Sequence, residues 1–283
     1  MNILLTNDDG IHAPGLWAMA EALKTVGDVT VVAPDREQSG VGASISLSKA
    51  LRMHRLPFSM DEIPTYTVEG TPGDAVILGL AHAMRDSPAD LVVSGVNAGH
   101  NTGPECFLSG TVGAAWHARM RGIPAFAVSA FSLEGPNFEI GARFAAVLAD
   151  LVHRGLVPGD LLYNVNTPKC AVHEVRGVQL TRPALRTFAD EVREEQDGLG
   201  KALYHLIYKR ENQKLGRGTD FWAVRRHFIA VTLLNHRLSP VPRSAVPADF
   251  CELLFSRYVG GEWPDAPRPD RPVEPTRETL KVE

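Results

Sequence analysis

Cysteine is scarce: the 283 residues hold three, Cys106, Cys170 and Cys251. Odd in number and far apart, they suggest neither a disulfide framework nor a zinc site, and they fit a reducing compartment. Long apolar runs are missing as well, so no membrane-spanning helix is expected. No basic segment followed by an apolar one precedes the first strand, so no secretory leader is expected and the cytoplasm is the default location. Charge of one sign is also lacking. Lys and Arg total 29 against 33 Asp and Glu, a formal net charge of −4. That argues against broad electrostatic capture of nucleic acid polymers or anionic membranes. A small anionic substrate stays open, because a local cation can reverse the field at a site. Two glycine signatures are absent too. There is no Gly-Lys-Ser/Thr sequence, so no P-loop. The stretch Gly40-Val41-Gly42-Ala43-Ser44 does not join the first strand to a helix, which argues against a dinucleotide-dependent oxidoreductase. Ser44 and Ser46 have no legible His–Asp partnership for nucleophilic catalysis.

What is present is a sizeable core and a regular alternation. Hydrophobic residues make up 44% and charged residues 22%, an ordinary soluble composition. Short apolar runs at 2–6, 29–33, 91–94, 125–129 and 161–165 read as strands. Helical spacing fills 14–25, with Leu16, Met19, Ala20 and Leu23 on one face, and returns at 74–84, 113–121 and 138–154. Alternation of this kind implies right-handed βαβ crossovers and a mostly parallel sheet. The strand runs are continuously apolar, as expected when helices cover both faces. The pattern changes later. Residues 176–180, 202–208 and 228–233 read as antiparallel or edge strands, with the charged stretch 190–200 between them. Three prolines between 240 and 247 predict an extended run, and 250–258 a strand or short helix. The expected organisation is a catalytic core over 1–175, a β-rich appendage and oligomerisation segment over 176–263, and a disordered Pro- and charge-rich tail over 264–283.

In an open parallel sheet, ligands bind at the carboxyl ends of the strands. Asn7, Asp8, Asp9 and Gly10 follow the first strand here. Asp35, Arg36, Gln38, Ser39 and Gly40 follow the second. Gly95, Asn97, Asn101 and Gly103 follow the third, and Ser109-Gly110-Thr111 comes after them. Adjacent carboxylates repel unless a cation lies between them. Asp, Ser and Asn supply only oxygens, which suits Mg²⁺ or Mn²⁺ better than Zn²⁺. Such a cation also acidifies a bound water into a usable nucleophile. An isolated Asp-Asp-Gly is more often a solvated turn before a helix; the other strand ends tip the balance toward a metal site. Ser109-Gly110-Thr111 opens a helical stretch, where free N–H groups and two hydroxyls suit a phosphate, although a plain Ser/Thr cap is the commoner use. His12 and His100 flank the site and read as hydrogen-bonding or packing residues. Residues 69–74, EGTPGD, read as a turn that caps a helix and shapes the cleft.

Together, NDDGIHAPG (7–15), PDREQSG (34–40), EGTPGD (69–74), SGVNAGHNTG (94–103), SGTVGAA (109–115) and GTDFWAV (218–224) resemble the SurE, or survival protein E, family of nucleotidases. The likeness runs from residue 1 to 234. It implies a Rossmann-like α/β core with a smaller β-rich appendage used in dimerisation, in a homodimer or homotetramer. The activity implied is hydrolysis of nucleoside 5′-monophosphates, with 3′-nucleotides or short polyphosphate as side substrates. A non-catalytic nucleotide-binding stress module is the alternative. By resemblance the ligands of one divalent metal fall on Asp8, Asp9, Ser39 and Asn97. General base chemistry adds that Asp8 or Asp9 orients or deprotonates the attacking water, with the two roles left undivided. The phosphate-binding turn falls on Ser109, Gly110 and Thr111, and Asn101 faces the substrate. One segment departs from the pattern. Where the family carries aspartate and then tyrosine before Ser-Gly-Thr, this chain reads Pro104-Glu105-Cys106-Phe107-Leu108.

Overall fold

A computed structural model of the chain describes residues 1–57, 63–131, 137–184, 189–198, 200–209 and 216–235. The chain begins β1 (Asn2–Thr6), α1 (Pro14–Leu23), β2 (Asp28–Pro34), β3 (Met53–Arg55), β4 (Thr65–Val68), α2 (Pro72–Leu78) and β5 (Leu91–Ala98). It continues α3 (Glu105–Leu108), α4 (Gly110–Met120), β6 (Ala125–Ala130), α5 (Phe138–His153), β7 (Leu162–Thr167) and β8 (Val178–Thr181). Then come β9 (Ala189–Gln196), β10 (Ala202–Lys209), α6 (Asp220–Val224) and β11 (Ile229–Leu234).

Nine strands form one sheet in the order β3-β4-β2-β1-β5-β6-β7-β11-β8. From β4 to β7 all neighbours are parallel. Strands β3 and β11 run against β4 and β7. This is the expected mostly parallel α/β sheet. Side chains alternate across β1. Ile3 and Leu5 join Leu16, Met19, Phe126 and Leu148 in a core under α1 and α5. Leu4 joins Val32, Val92, Ala114 and Ala118 under α2 and α4. Both faces are covered, which is why β1 reads as an unbroken apolar run.

Strand order reverses between β1 and β5: β2 lies on one side of β1, and the later strands extend from the other. At such a switch point the crossovers on either side lead to opposite faces, and a crevice opens at the carboxyl ends. Asp8–Asp9 and Asn97 stand at the two strand ends that frame it.

Strands β8 and β11 fall within the stretch expected to form the appendage, yet both belong to the main sheet. The separate β structure is the antiparallel β9–β10 pair, in register Ala202 with Gln196 through Lys209 with Ala189. Strand β9 occupies the charged stretch that reads as a connection in sequence. The expected extended run at 240–247, the element at 250–258 and the tail from 264 lie outside the described residues. Among the described residues no helix is long and apolar enough to cross a membrane.

Candidate active site

The site starts from β1. Its last residue, Thr6, pairs with Ser94 of β5, and the chain then turns through Asn7-Asp8-Asp9-Gly10. The Asn7 amide donates to Gly10 O at 2.9 Å and closes that turn. Two neighbouring loops are bonded directly to it. The N–H of Gln38, one residue before Ser39, donates to Asp8 O at 2.7 Å. The N–H of Ala98, one residue after Asn97, donates to the Asp9 carboxylate at 2.9 Å. Strand β5 bulges between Ser94 and Asn97 where it runs beside β6. At the bulge Gly95 holds φ +128°, and a Cβ there would lie 2.2 Å from Val128 O, so the bend that aims Asn97 needs glycine.

Helix α4 completes the site. Its N-cap, Ser109, accepts the Val112 N–H on its hydroxyl at 3.1 Å. The Thr111 hydroxyl and the Thr111 N–H both donate to the Asp8 carboxylate. Asp8 therefore sits against the positive end of α4, inside the turn expected to hold phosphate. Gly110 permits that approach: a Cβ on it would lie 2.8 Å from Asp8 Cβ. Asp8 and Thr111, 103 residues apart in sequence, bring the carboxylate and the Ser109–Thr111 turn into one locus.

The electrostatics of this locus fit a divalent cation. Asp8 is 3% exposed. Burial pushes its carboxyl up from 3.8 to about 6; the Thr111 hydroxyl opposes the rise and the neighbouring Asp9 adds to it. Asp9 is raised too, chiefly by burial, against the Ala98 N–H and with a contribution from Glu37. Two adjacent carboxylates in this state favour protons or a cation. Among the described residues no group of three or more His, Cys, Asp or Glu is arranged so that it could by itself hold a metal ion. A cation would therefore complete its shell with neutral oxygens, which suits a hard ion. The Asn97 amide donates through Nδ2 to Gly99 O at 2.8 Å, which turns Oδ1 the other way. The Ser39 hydroxyl is exposed and donates to Glu37 at 2.8 Å. Asn7 is fully buried, and its Oδ1 has no hydrogen-bond partner among the described residues.

Asn101 is held in a hydrogen-bond network at the ends of β5, β6 and β7. It is 7% exposed, and its amide donates to Ser129 at 2.8 Å. Its N–H donates to Asn166 Oδ1 at 2.8 Å, and its carbonyl accepts from Asn164 at 2.7 Å. It anchors the loop after β5 to the ends of β6 and β7. His100 is buried, bonded to Thr167 O at 2.7 Å and edge-on to Phe131, as expected of a packing residue; His12 is exposed.

The EGTPGD turn both caps and shapes. Thr71 and Asp74 form a reciprocal capping box on α2. Asp74 also accepts the Ser46 N–H at 2.9 Å, and the Thr71 hydroxyl donates to Ser44 O at 2.7 Å. Burial alone would raise the Asp74 carboxyl; the hydrogen bonds from Ser46 and Thr71 outweigh it and hold the group below its ordinary value. With His117 bonded to Ala43 O at 2.8 Å, these contacts pin the loop after Ser39 to α2 and α4.

Two acidic residues have roles that sequence reasoning did not assign. Glu105, in the segment that departs from the pattern, accepts the N–H and the hydroxyl of Thr102, both at 3.2 Å. Asp220, at 0% exposure, accepts the Gly103 N–H at 2.7 Å and the Ala184 N–H at 2.9 Å. It ties the loop between β5 and α3 to α6. The bond to Gly103 spans 117 residues, so no local pattern announces it; the only signal was its place in the GTDFWAV motif.

The family model described as Survival protein SurE matches residues 3–190. This chain belongs to the SurE family. It is 44% identical over 237 residues to a 5'-nucleotidase SurE of Geobacter sulfurreducens, covering 83% of this chain and 88% of the relative. It is 40% identical over 232 residues to a 5'-nucleotidase SurE of Alkalilimnicola ehrlichii, covering 82% and 88%. The crystal structure of the SurE protein from Aquifex aeolicus superposes with a TM-score of 0.76 at 37% identity, covering 89% of this chain and 100% of that one. The resemblance drawn from the motifs is thus borne out, and the α/β fold with it.

Proposed function

We propose that this SurE-family chain is a metal-dependent phosphatase that hydrolyses nucleoside 5′-monophosphates to nucleoside and phosphate. The observation that carries the reading is the Asp8 carboxylate seated on the Thr111 hydroxyl and N–H, which merges an acidic pair with a helix N-terminus. The names of the relatives, 5'-nucleotidase SurE, supply the substrate class.

Asp8, Asp9, Ser39 and Asn97 would hold the cation, with Mg²⁺ or Mn²⁺ suited by the all-oxygen donor set. When bound, such an ion neutralises charge on the phosphate and acidifies water. The Ser109 hydroxyl and the Gly110 N–H bind the remaining phosphate oxygens, where charge develops as the ester bond breaks, and Thr111, whose own donors go to Asp8, completes the turn. A carboxylate oxygen of Asp8 or Asp9 orients the attacking water and accepts its proton. Asn101, Asn164 and Asn166 keep the loop after β5 in place. The same locus would accept 3′-nucleotides and short polyphosphate, since it addresses the phosphoryl group. The exposed Val178 and Leu180 on edge strand β8 support a homodimer or homotetramer. The unpaired Cys106 and Cys170 support a cytoplasmic setting.

A panel of 5′- and 3′-nucleotides, polyphosphate and sugar phosphates, assayed with Mn²⁺, with Mg²⁺ and with EDTA, tests the proposal. The expected result is phosphate release from 5′-nucleotides that stops with chelator and returns with metal. Nucleotide binding without release would instead establish a non-catalytic binding module.

A further inference from the structure

Phe107 is 86% exposed, although it lies two residues from the Ser109 cap of α4. Leu108 beside it is 44% exposed. A phenylalanine in water forgoes the full gain of burial, about 1.5–3 kcal/mol, so a well-exposed ring beside a ligand turn calls for an occupant. The backbone that carries the ring is held in place. Helix α3 is a single turn whose Ser109 N–H donates to Glu105 O at 3.1 Å, and Glu105 in turn binds Thr102. The Leu108 carbonyl accepts the Gly42 N–H at 2.9 Å, which fastens α3 to the loop after β2. That loop is pinned through Ser44 and Ser46 to Thr71 and Asp74, and it adds the exposed Ile45 to the apolar surface of this part of the chain.

We propose that Phe107, with Leu108, is the platform on which the nucleobase of the substrate rests while its phosphate occupies the Ser109–Thr111 turn. This deepens the nucleotidase reading and rests on it. In a nucleoside monophosphate one ribose separates phosphate from base, so a platform must lie one short step from the phosphate turn, as α3 does. Every base has a π-face, and an aromatic ring holds purines and pyrimidines alike. Phe107 and Leu108 offer no side-chain hydrogen-bonding group to read a base edge. The platform therefore contributes affinity for nucleosides as a class, graded by stacking area.

The test compares AMP, CMP and ribose 5-phosphate with wild type, Phe107→Ala and Phe107→Trp, in the presence of Mn²⁺, measuring kcat and KM separately. Ribose 5-phosphate keeps the phosphoester and lacks the base. Base–aromatic stacking predicts that Phe107→Ala lowers the AMP to ribose 5-phosphate ratio of kcat/KM roughly tenfold, mainly through the KM for AMP. Phe107→Trp should keep or widen the wild-type ratio, and CMP should lose less than AMP. An unchanged ratio in Phe107→Ala overturns the platform and leaves the nucleotidase reading standing. Equal losses on both phosphoesters overturn it too, since the ring would then shape the phosphate turn only. So does a drop in oligomeric state by sedimentation in Phe107→Ala, which would make the ring a subunit contact. A wild-type protein that releases phosphate from none of the three defeats the nucleotidase reading and the platform together.

Discussion

Asp8 carries the largest electrostatic burden among the residues of the site. Its carboxyl is raised from 3.8 to about 6, so the folded chain binds a proton there more tightly than the unfolded chain does. Stability of the metal-free protein from this group is therefore greatest below about pH 4, and it falls as the pH rises to 6, on the order of 3 kcal/mol in all. Thermal melts in EDTA across that window should show the decline, and Asp8→Asn should flatten it. Added Mn²⁺ should raise the melting temperature more at pH 7.5 than at pH 5, because the cation competes with the proton; an equal gain at both would count against Asp8 as a ligand. Asp9→Asn should abolish metal-dependent turnover while the circular dichroism spectrum stays that of wild type. At Gly110 any side chain meets Asp8, so Gly110→Ala should cost about 1–3 kcal/mol of stability and at least tenfold in kcat, read by denaturant melts and steady-state assays.

Among the elements, legibility in the sequence followed burial. Strands β1, β2, β5, β6 and β7 were readable because helices cover both their faces and leave unbroken apolar runs. Helix α1 was readable because its buried Leu16, Met19, Ala20 and Leu23 recur at helical spacing. Strand β3 has three residues, too few for a period. Strand β9 reads ADEVREEQ, and residues 192–196 stand exposed, so no core imposes an alternation; pairing with β10 holds it. In the site, the chemical types at the strand ends were legible, and the bond from Thr111 to Asp8 was not, because only the tertiary crossing of α4 brings them together. Asp220 was opaque for the same reason. Its carboxylate joins three N–H groups, including its own neighbour Phe221, in a fully buried position. Asp220→Asn places an amide donor against one of those donors. It should lower stability by about 1–3 kcal/mol and speed hydrogen exchange at the Gly103 amide, measurable by mass spectrometry.

For the whole molecule, the two-sided sheet leaves its chemistry to one crevice, at the point where strand order reverses between β1 and β5. Loops from three strands and the N-terminus of α4 converge there, each backed by a core that fixes its position. The sheet does not end where the family model ends, at residue 190. Strand β11, at 229–234, slots between β7 and β8 and pairs with both. A fragment stopping at 190 would leave the hydrogen-bonding edge of β7 bare and β8 without a neighbour. Synthesis on the ribosome faces the same geometry: the nascent chain carries an open, apolar-flanked edge until some forty further residues have emerged from the tunnel. The strand ends of the crevice can be set early, but the Asp220 tie on the loop after β5 and the protection against self-association both arrive late, and a shielding chaperone is most useful in that interval.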